Sequence, residues 1–258
     1  MRIARFAKGD DLAFGVVDTD QGAEFITEIN GHPFQPNYEL TGNRQPVAET
    51  RLVAPVLPTK IVAIGRNYAE HAVELGNEVP DEPIVFLKPS TSVIGPGEPI
   101  AYPKVSTDVH YEAELAVVIG RVCRQVPKER VRDVVFGYTC ANDVTARDLQ
   151  RREPQWGRAK GFDSFCPIGP WIETDVDPGD LAITCTVGDE LKQSGRTSQM
   201  IYDVAGLVEY ITEAMTLLPG DVILTGTPAG VGPLQIGDRV SVTLEGIGTL
   251  TNPVVARD

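Results

Sequence analysis

The chain has 258 residues, of which 42% are hydrophobic, and its 36 Asp and Glu outnumber 23 Lys and Arg to give a formal net charge of −13. That apolar content supports a packed core and excludes general disorder, and the length fits one large domain or a small one beside a large one. The acidic balance argues against the basic patch that a nucleic-acid or anionic-membrane surface needs, but leaves room for a small anionic substrate, because nearby Arg and Lys can override the overall field.

Four cysteines, Cys123, Cys140, Cys166 and Cys185, form no CxxC pair, so zinc and redox motifs are absent. The opening "MRIARFAKGDD" lacks the apolar centre of a signal peptide, and no apolar run approaches the roughly 18 residues of a membrane span. These features lead us to expect a soluble, cytoplasmic protein whose cysteines are free core residues.

Residues 1 to 55 read as short strands, "MRIARFA", "LAFGVVD" and "GAEFITEI", followed by a loop, "NGHPFQPNYELTGNRQP". The proline-marked "RLVAPVLPTK" then connects a small β-rich N-terminal domain (1–55) to a larger one (56–258). "KIVAIG" is a short apolar strand, and "NYAEHAVELGN" has helical spacing with a glycine stop at Gly76. "HYEAELAVVIG" places Glu112 and Glu114 at the mouth of an apolar strand. "VPKERVRDVVFGYTCANDVT" reads as a short helix and a strand. In "SQMIYDVAGLVEYITEAMTLLPG", Ile201, Val204, Ala205, Val208, Ile211 and Met215 form a helical stripe. Three Gly-Asp pairs, in "PGDLAIT", "PGDVILT" and "IGDRVSVTL", each announce a turn followed by a strand. Strands dominate, and no GxGxxG or phosphate-loop motif appears. The expected fold is mainly β, a mixed α+β sandwich or roll with flanking helices, in preference to a doubly wound sheet.

Residues two apart on a strand point the same way, so Glu112 and Glu114 aim at one spot. Two like charges there repel unless a cation lies between them or one carboxyl is protonated; the alternative is an exposed strand end with solvated charges. Asp143, near the end of another strand, would complete an all-oxygen set suited to Mg2+ or Mn2+, or to Ca2+ at higher coordination, and otherwise reads as a turn residue. His71 and Glu74, three apart on a helix, share a face. A carboxylate there fixes the imidazole tautomer and raises its basicity, as a water-activating base on a glycine-flanked lid requires; alone, the pair would be an exposed helical contact. Lys160 lies among Gly, aromatic and Pro residues, which suggests an ordered loop from which it can stabilise a developing enolate or bind a carboxylate; alone, it reads as a solvated lysine. Arg66 and Lys88 are further cations near the acids in sequence, and the backbone around Thr227 in "LTGTPAGVG" can form an anion-binding nest or a plain turn.

Taken together, "GRNYAEHAVELG", "PIVFLKPSTSVIGPG", "VHYEAELAVVIG", "GYTCANDVTARDLQ", "WGRAKGFDSFCPIGPWI" and the block from "SGRTSQM" to "PAGVG" resemble the fumarylacetoacetate hydrolase family over residues 55 to 258. The resemblance includes its bacterial 2-hydroxyhepta-2,4-diene-1,7-dioate isomerase and acylpyruvate hydrolase-like members. It implies a mixed β-sandwich roll, a homodimer, and Mg2+ or Mn2+ held by Glu112, Glu114 and Asp143. It also implies a His71–Glu74 pair on a lid, with Lys160, Gln150 and Thr227 lining the substrate site and Arg66 and Lys88 at motif positions. The implied activity is metal-dependent C–C hydrolysis of an acylpyruvate- or fumarylpyruvate-type 2-oxo acid. The alternatives are decarboxylation of an oxaloacetate-type substrate or isomerisation of a 2-oxo-heptenedioate of aromatic catabolism, and, from a different class, non-catalytic binding of a metabolite.

Overall fold

The computed structural model describes residues 1–35 and 37–257. At its centre is the strand Ala113–Ile119, every residue of which is buried. It pairs antiparallel with Val135–Asn142 on one side and with Val222–Leu224 on the other. Its side chains alternate between two cores. Leu115, Val117 and Ile119 join a large cluster with Ile183, Val242, Leu244 and Leu250, while Ala116 and Val118 pack with Ile61, Ala63 and Ile168. Burial on both faces is why this stretch reads as a continuous apolar run rather than an alternating one.

The sheet continues outward in both directions. Val222–Leu224 runs parallel to Ile61–Gly65, which pairs antiparallel with Ile84–Lys88. On the other side Val135–Asn142 pairs with Cys166–Glu173, and Cys166–Glu173 pairs with Arg2–Lys8. Asp11–Asp20, Ala23–Asn30 and Glu39–Pro46 follow as a meander. The first residues of the chain therefore extend the central sheet. A second, five-stranded sheet comprises Glu190–Arg196, Ala182–Val187, Arg239–Leu244, Gly248–Ala256 and Ile100–Tyr102, and its apolar residues fill the large cluster against the first sheet. This is the mainly β, mixed architecture that the sequence leads one to expect.

The expected helix forms over Val204–Ala214, shorter than the predicted stripe, which leaves Ile201 ahead of it and Met215 just past its end; Asp203 is its cap, its carboxylate accepting from the Gly206 N–H at 2.7 Å. Each Gly-Asp turn is followed by a strand: Ala182–Val187, Val222–Leu224 and Arg239–Leu244. The expected loop at 30–46 is in part a strand, Glu39–Pro46, whose first seven residues are all exposed. An edge strand with no buried face carries no hydrophobic periodicity, so its polar sequence looks like a loop. Pro36, within that stretch, lies outside the described residues. All four cysteines are buried and free, and no helix among the described residues is long and apolar enough to cross a membrane.

Candidate metal centre and active site

Glu112 lies at a junction. Val109–Tyr111 belongs to a small sheet with Thr145–Ala146 and Gly232–Pro233, whereas Ala113–Ile119 belongs to the central one. The Glu112 N–H donates to Asn142 Oδ1 at 2.9 Å, and its carbonyl accepts from the Asp143 N–H at 2.9 Å. Opposite it, Ala113 is in register with Asn142 and Glu114 with Ala141. Register and pleat thus bring Glu112, Glu114 and Asp143 together. One carboxylate oxygen from each lies within 4.8 Å of the others, and all three residues are buried. A hard divalent cation is the kind of ion this all-oxygen donor set suits.

Three cations surround two of the three acids. Lys160 Nζ donates to Glu112 Oε2 at 2.7 Å and to Asp143 Oδ2 at 2.6 Å, so an ammonium already bridges two of the carboxylates. Arg147 pairs with Glu112, and its Nη1 donates to Gln150 Oε1 at 2.8 Å. Lys88 pairs with Asp143 and donates to the Phe165 carbonyl at 2.7 Å. Glu114 has no such cation among the described residues and accepts only from the Gly226 N–H, at 2.7 Å. The titrations follow. Burial pushes the Glu114 carboxyl well above the ordinary range, and its neighbours Asp143 and Glu112 push it further. Burial acts in the same direction on Glu112, but Arg147 and Lys160 outweigh it and hold that carboxyl low. Burial acts to lower Lys160, and Asp143 and Glu112 reverse the sign, so it stays an ammonium. Glu114 is thus the acid whose charge calls for a further cation.

His71 is carried by the short helix Ala69–Glu74 and is buried. Its Nδ1 lies 3.2 Å from Glu74 Oε2, and Glu74 Oε1 accepts from the Gly230 N–H at 2.9 Å. Burial lowers the imidazole pKa despite the nearby Glu112 and Glu74 charges, so the neutral ring is favoured. The "TGTPAGVG" loop thus does offer N–H groups to anions, but those anions are the protein's own Glu114 and Glu74. Thr227 Oγ1 accepts from Gln193 Nε2 at 2.8 Å, and Gln193 Oε1 accepts from the Ala113 N–H at 2.9 Å, so one buried amide ties this loop to the acid-bearing strand.

All of this opens onto a cavity of about 320 Å³. Of the residues singled out in the sequence, Arg66, His71, Glu112, Glu114, Gln150, Lys160 and Thr227 line it. Asp143, Glu74 and Lys88 do not: Asp143 bonds to Lys160, Glu74 to His71, and Lys88 is wholly buried against Asp143. Sequence reasoning passed over Arg147, Arg151 and Trp156, which also line the cavity, and Gln193. Arg147, Gln150 and Arg151 share one face of the helix Arg147–Arg152, and this i, i+3, i+4 polar set directly after Asp143 was the available signal. Gln193 gave none, because it sits alone on an otherwise exposed strand.

A family model described as "Fumarylacetoacetate (FAA) hydrolase C-terminal" matches residues 60–255, and one described as "Rv2993c-like, N-terminal" matches residues 1–55. Among solved structures, the chain is 50% identical to 2-hydroxyhepta-2,4-diene-1,7-dioate isomerase from Mycobacterium marinum, covering 99% of this chain and 98% of that one, with a TM-score of 0.92. It is 34% identical to maleylpyruvate hydrolase from Sphingobium sp. SYK-6 in complex with manganese(II) and pyruvate, over the whole of both chains, with a TM-score of 0.81. The oxaloacetate tautomerase YisK of Bacillus subtilis is 41% identical, covering 85% of this chain and 78% of the relative.

Proposed function

The chain belongs to the fumarylacetoacetate hydrolase family and is an enzyme, and from that premise we propose that it cleaves a carbon–carbon bond in an acylpyruvate- or fumarylpyruvate-type 2-oxo acid. One observation carries the reading: the buried acids Glu112 and Glu114, the ammonium of Lys160 and the imidazole of His71 face a single cavity. Glu112, Glu114 and Asp143 would hold Mg2+ or Mn2+, which when bound supplies Lewis-acid stabilisation for negative charge developing on the 2-oxo group. The manganese(II) and pyruvate in the maleylpyruvate hydrolase structure support this assignment.

The chain's own groups do the rest. Glu74 engages Nδ1 of His71 and so leaves Nε2 as the working nitrogen. Nε2 takes a proton from a water that attacks the distal carbonyl. The carbon–carbon bond breaks, the distal fragment leaves as a carboxylic acid, and the bonding pair passes to the pyruvyl fragment as an enolate. Lys160 has two N–H groups on carboxylates and retains a third for the developing oxyanion. The proton held by His71 is then delivered to the enolate carbon, giving pyruvate and restoring the base. Gln150, Thr227 and Arg66 orient the substrate, and Lys88 acts by fixing Asp143. A homodimer, expected from the resemblance, belongs to the same proposal and is checked by light scattering.

A second reading is favoured by the oxaloacetate tautomerase and the dioate isomerase among the similar proteins. There the same His71 moves a proton between carbon and oxygen, and no carbon–carbon bond is broken; decarboxylation of oxaloacetate through the same enolate is its close relation. The test is a turnover panel of acetylpyruvate, fumarylpyruvate, oxaloacetate and a 2-oxo-heptenedioate with Mg2+ or Mn2+, following pyruvate, CO2 and the enol absorbance. Pyruvate together with a released acid supports hydrolysis. An enol–keto change on oxaloacetate alone selects the second reading, and activity that survives complete chelation by EDTA defeats the metal assignment in both.

A further inference from the structure

Three arginines line the cavity, and two of them already have carboxylate partners. Arg147 pairs with Glu112, and Arg151 Nη2 donates to Asp108 Oδ2 at 3.0 Å. Arg66 has no carboxylate partner among the described residues, yet it is half-buried in the cavity wall, with its guanidinium carbon 5.9 Å from the Trp156 ring centroid. Its backbone is unusual as well. Arg66 has φ +56°, a left-handed conformation that few non-glycine residues adopt and that persists only where its surroundings enforce it. Those surroundings are the next residue. The Asn67 amide donates to the Tyr202 carbonyl at 2.9 Å and the Thr225 carbonyl at 2.8 Å, its Oδ1 accepts from the Tyr202 N–H at 2.9 Å, and its own carbonyl accepts from the Ile201 N–H at 2.8 Å. Four hydrogen bonds thus lock the chain where it sends Arg66 to the wall.

A partly desolvated guanidinium without a counter-ion is unfavourable in isolation and is relieved by an incoming anion. Trp156 packs on Phe86 with centroids 5.4 Å apart, and Phe86 in turn carries Lys160 Nζ 5.1 Å from its centroid, so Arg66 and Lys160 lie against different rings of one aromatic pair. We infer that Arg66 binds a second carboxylate of the substrate, remote from the 2-oxo acid end, and selects dicarboxylates over monocarboxylates. This rests on the proposed binding of the 2-oxo acid end beside Glu112, Glu114 and Lys160.

The test is isothermal titration of the Mn2+-loaded protein with three ligands: oxalate, 3,3-difluoro-oxaloacetate and 3,3-difluoro-2-oxobutanoate. The last two cannot enolise and differ only in the distal carboxylate. Arg66→Asn removes the charge with a side chain that tolerates the left-handed backbone, and Arg66→Lys keeps a charge without the fork. The wild type should prefer the dicarboxylate. Arg66→Asn should weaken the dicarboxylate by roughly 10- to 100-fold and change oxalate and the monocarboxylate by less than about threefold, with Arg66→Lys in between. Equal weakening of both difluoro ligands, or of neither, overturns the role of Arg66. A wild type that binds oxalate but shows no preference for the dicarboxylate overturns it too, while leaving the site assignment standing. A wild type that fails to bind oxalate removes the site assignment and this inference together.

Discussion

Glu114 and His71 are the residues on which the chemistry turns. Glu114 is buried beside two other acids, and among the described residues only one N–H answers its charge. Replacing it with Gln removes the repulsion and keeps the acceptor for Gly226. Without metal, Glu114→Gln should therefore raise the unfolding midpoint by about 2–4 °C, roughly 1 kcal/mol, in a thermal melt, at the expense of activity. An unchanged or lower midpoint would mean that the three acids are not in conflict. His71→Ala should lower turnover by about 100-fold or more while leaving Mn2+ affinity within a few fold, since the imidazole is bonded to Glu74 and not to the three acids. An unaltered turnover number would remove the imidazole from the mechanism. The paired glutamates were legible because strand alternation aims residues two apart at one point. Arg147 was read less readily, because an arginine beside Asp148 at the start of a polar helix face reads as solvated, and only the fold shows it buried against Glu112.

At the scale of elements, the placement of the cavity depends on the turn that carries Asp221. Its fully buried carboxylate accepts from the N–H and hydroxyl of Thr59 at 3.2 and 2.6 Å, from the Lys60 N–H at 3.2 Å and from the Leu218 N–H at 2.8 Å, and it pairs with the Lys60 ammonium. It thereby fixes the start of Val222–Leu224 against Ile61–Gly65, the strand that leads to Arg66 and His71. Burial acts to raise this carboxyl, and the bonds from Lys60 and Thr59 outweigh it, so its folded pKa lies below the ordinary 3.8. A depressed folded pKa stabilises the protein above the unfolded value, and that contribution is lost as pH falls through 3.8 toward the folded pKa. Asp221→Asn should cost about 2–3 kcal/mol at pH 7 in urea unfolding, and the gap from wild type should narrow below pH 4. A gap independent of pH would mean that the carboxylate's charge plays no part. Elements with a buried side were readable in advance, including the helix Val204–Ala214 and the strands after the three Gly-Asp turns. The exposed strand Glu39–Pro46 was not, since a strand without a buried face leaves no pattern.

For the whole molecule, sheet order is what the sequence withheld. Ala113–Ile119 pairs with Val222–Leu224, a strand more than a hundred residues later, and no local pattern encodes such a choice. The N-terminal strands complete the same sheet: Arg2 and Ile3 pair with Glu173 and Ile172, and Ala4, Phe6, Val17 and Ile26 cover Trp171. Removing residues 1–55 would uncover both Trp171 and a sheet edge, so the truncated chain should aggregate by light scattering where the full chain does not; a well-behaved truncated chain would show that those strands are dispensable for the sheet. Ion binding should be felt globally as well, with Mn2+ at a hundred times its Kd adding about 2.7 kcal/mol and raising the melting midpoint by about 5–10 °C. We propose, as the central claim, that Glu112, Glu114 and Asp143 together hold one divalent cation beside the cavity. Its most direct test is an electron paramagnetic resonance titration of Mn2+ into the wild type and into Glu112→Gln, Glu114→Gln and Asp143→Asn. The account predicts one tight Mn2+ per wild-type chain, weakened at least about 100-fold in each variant; one equally tight Mn2+ in all four proteins would contradict it.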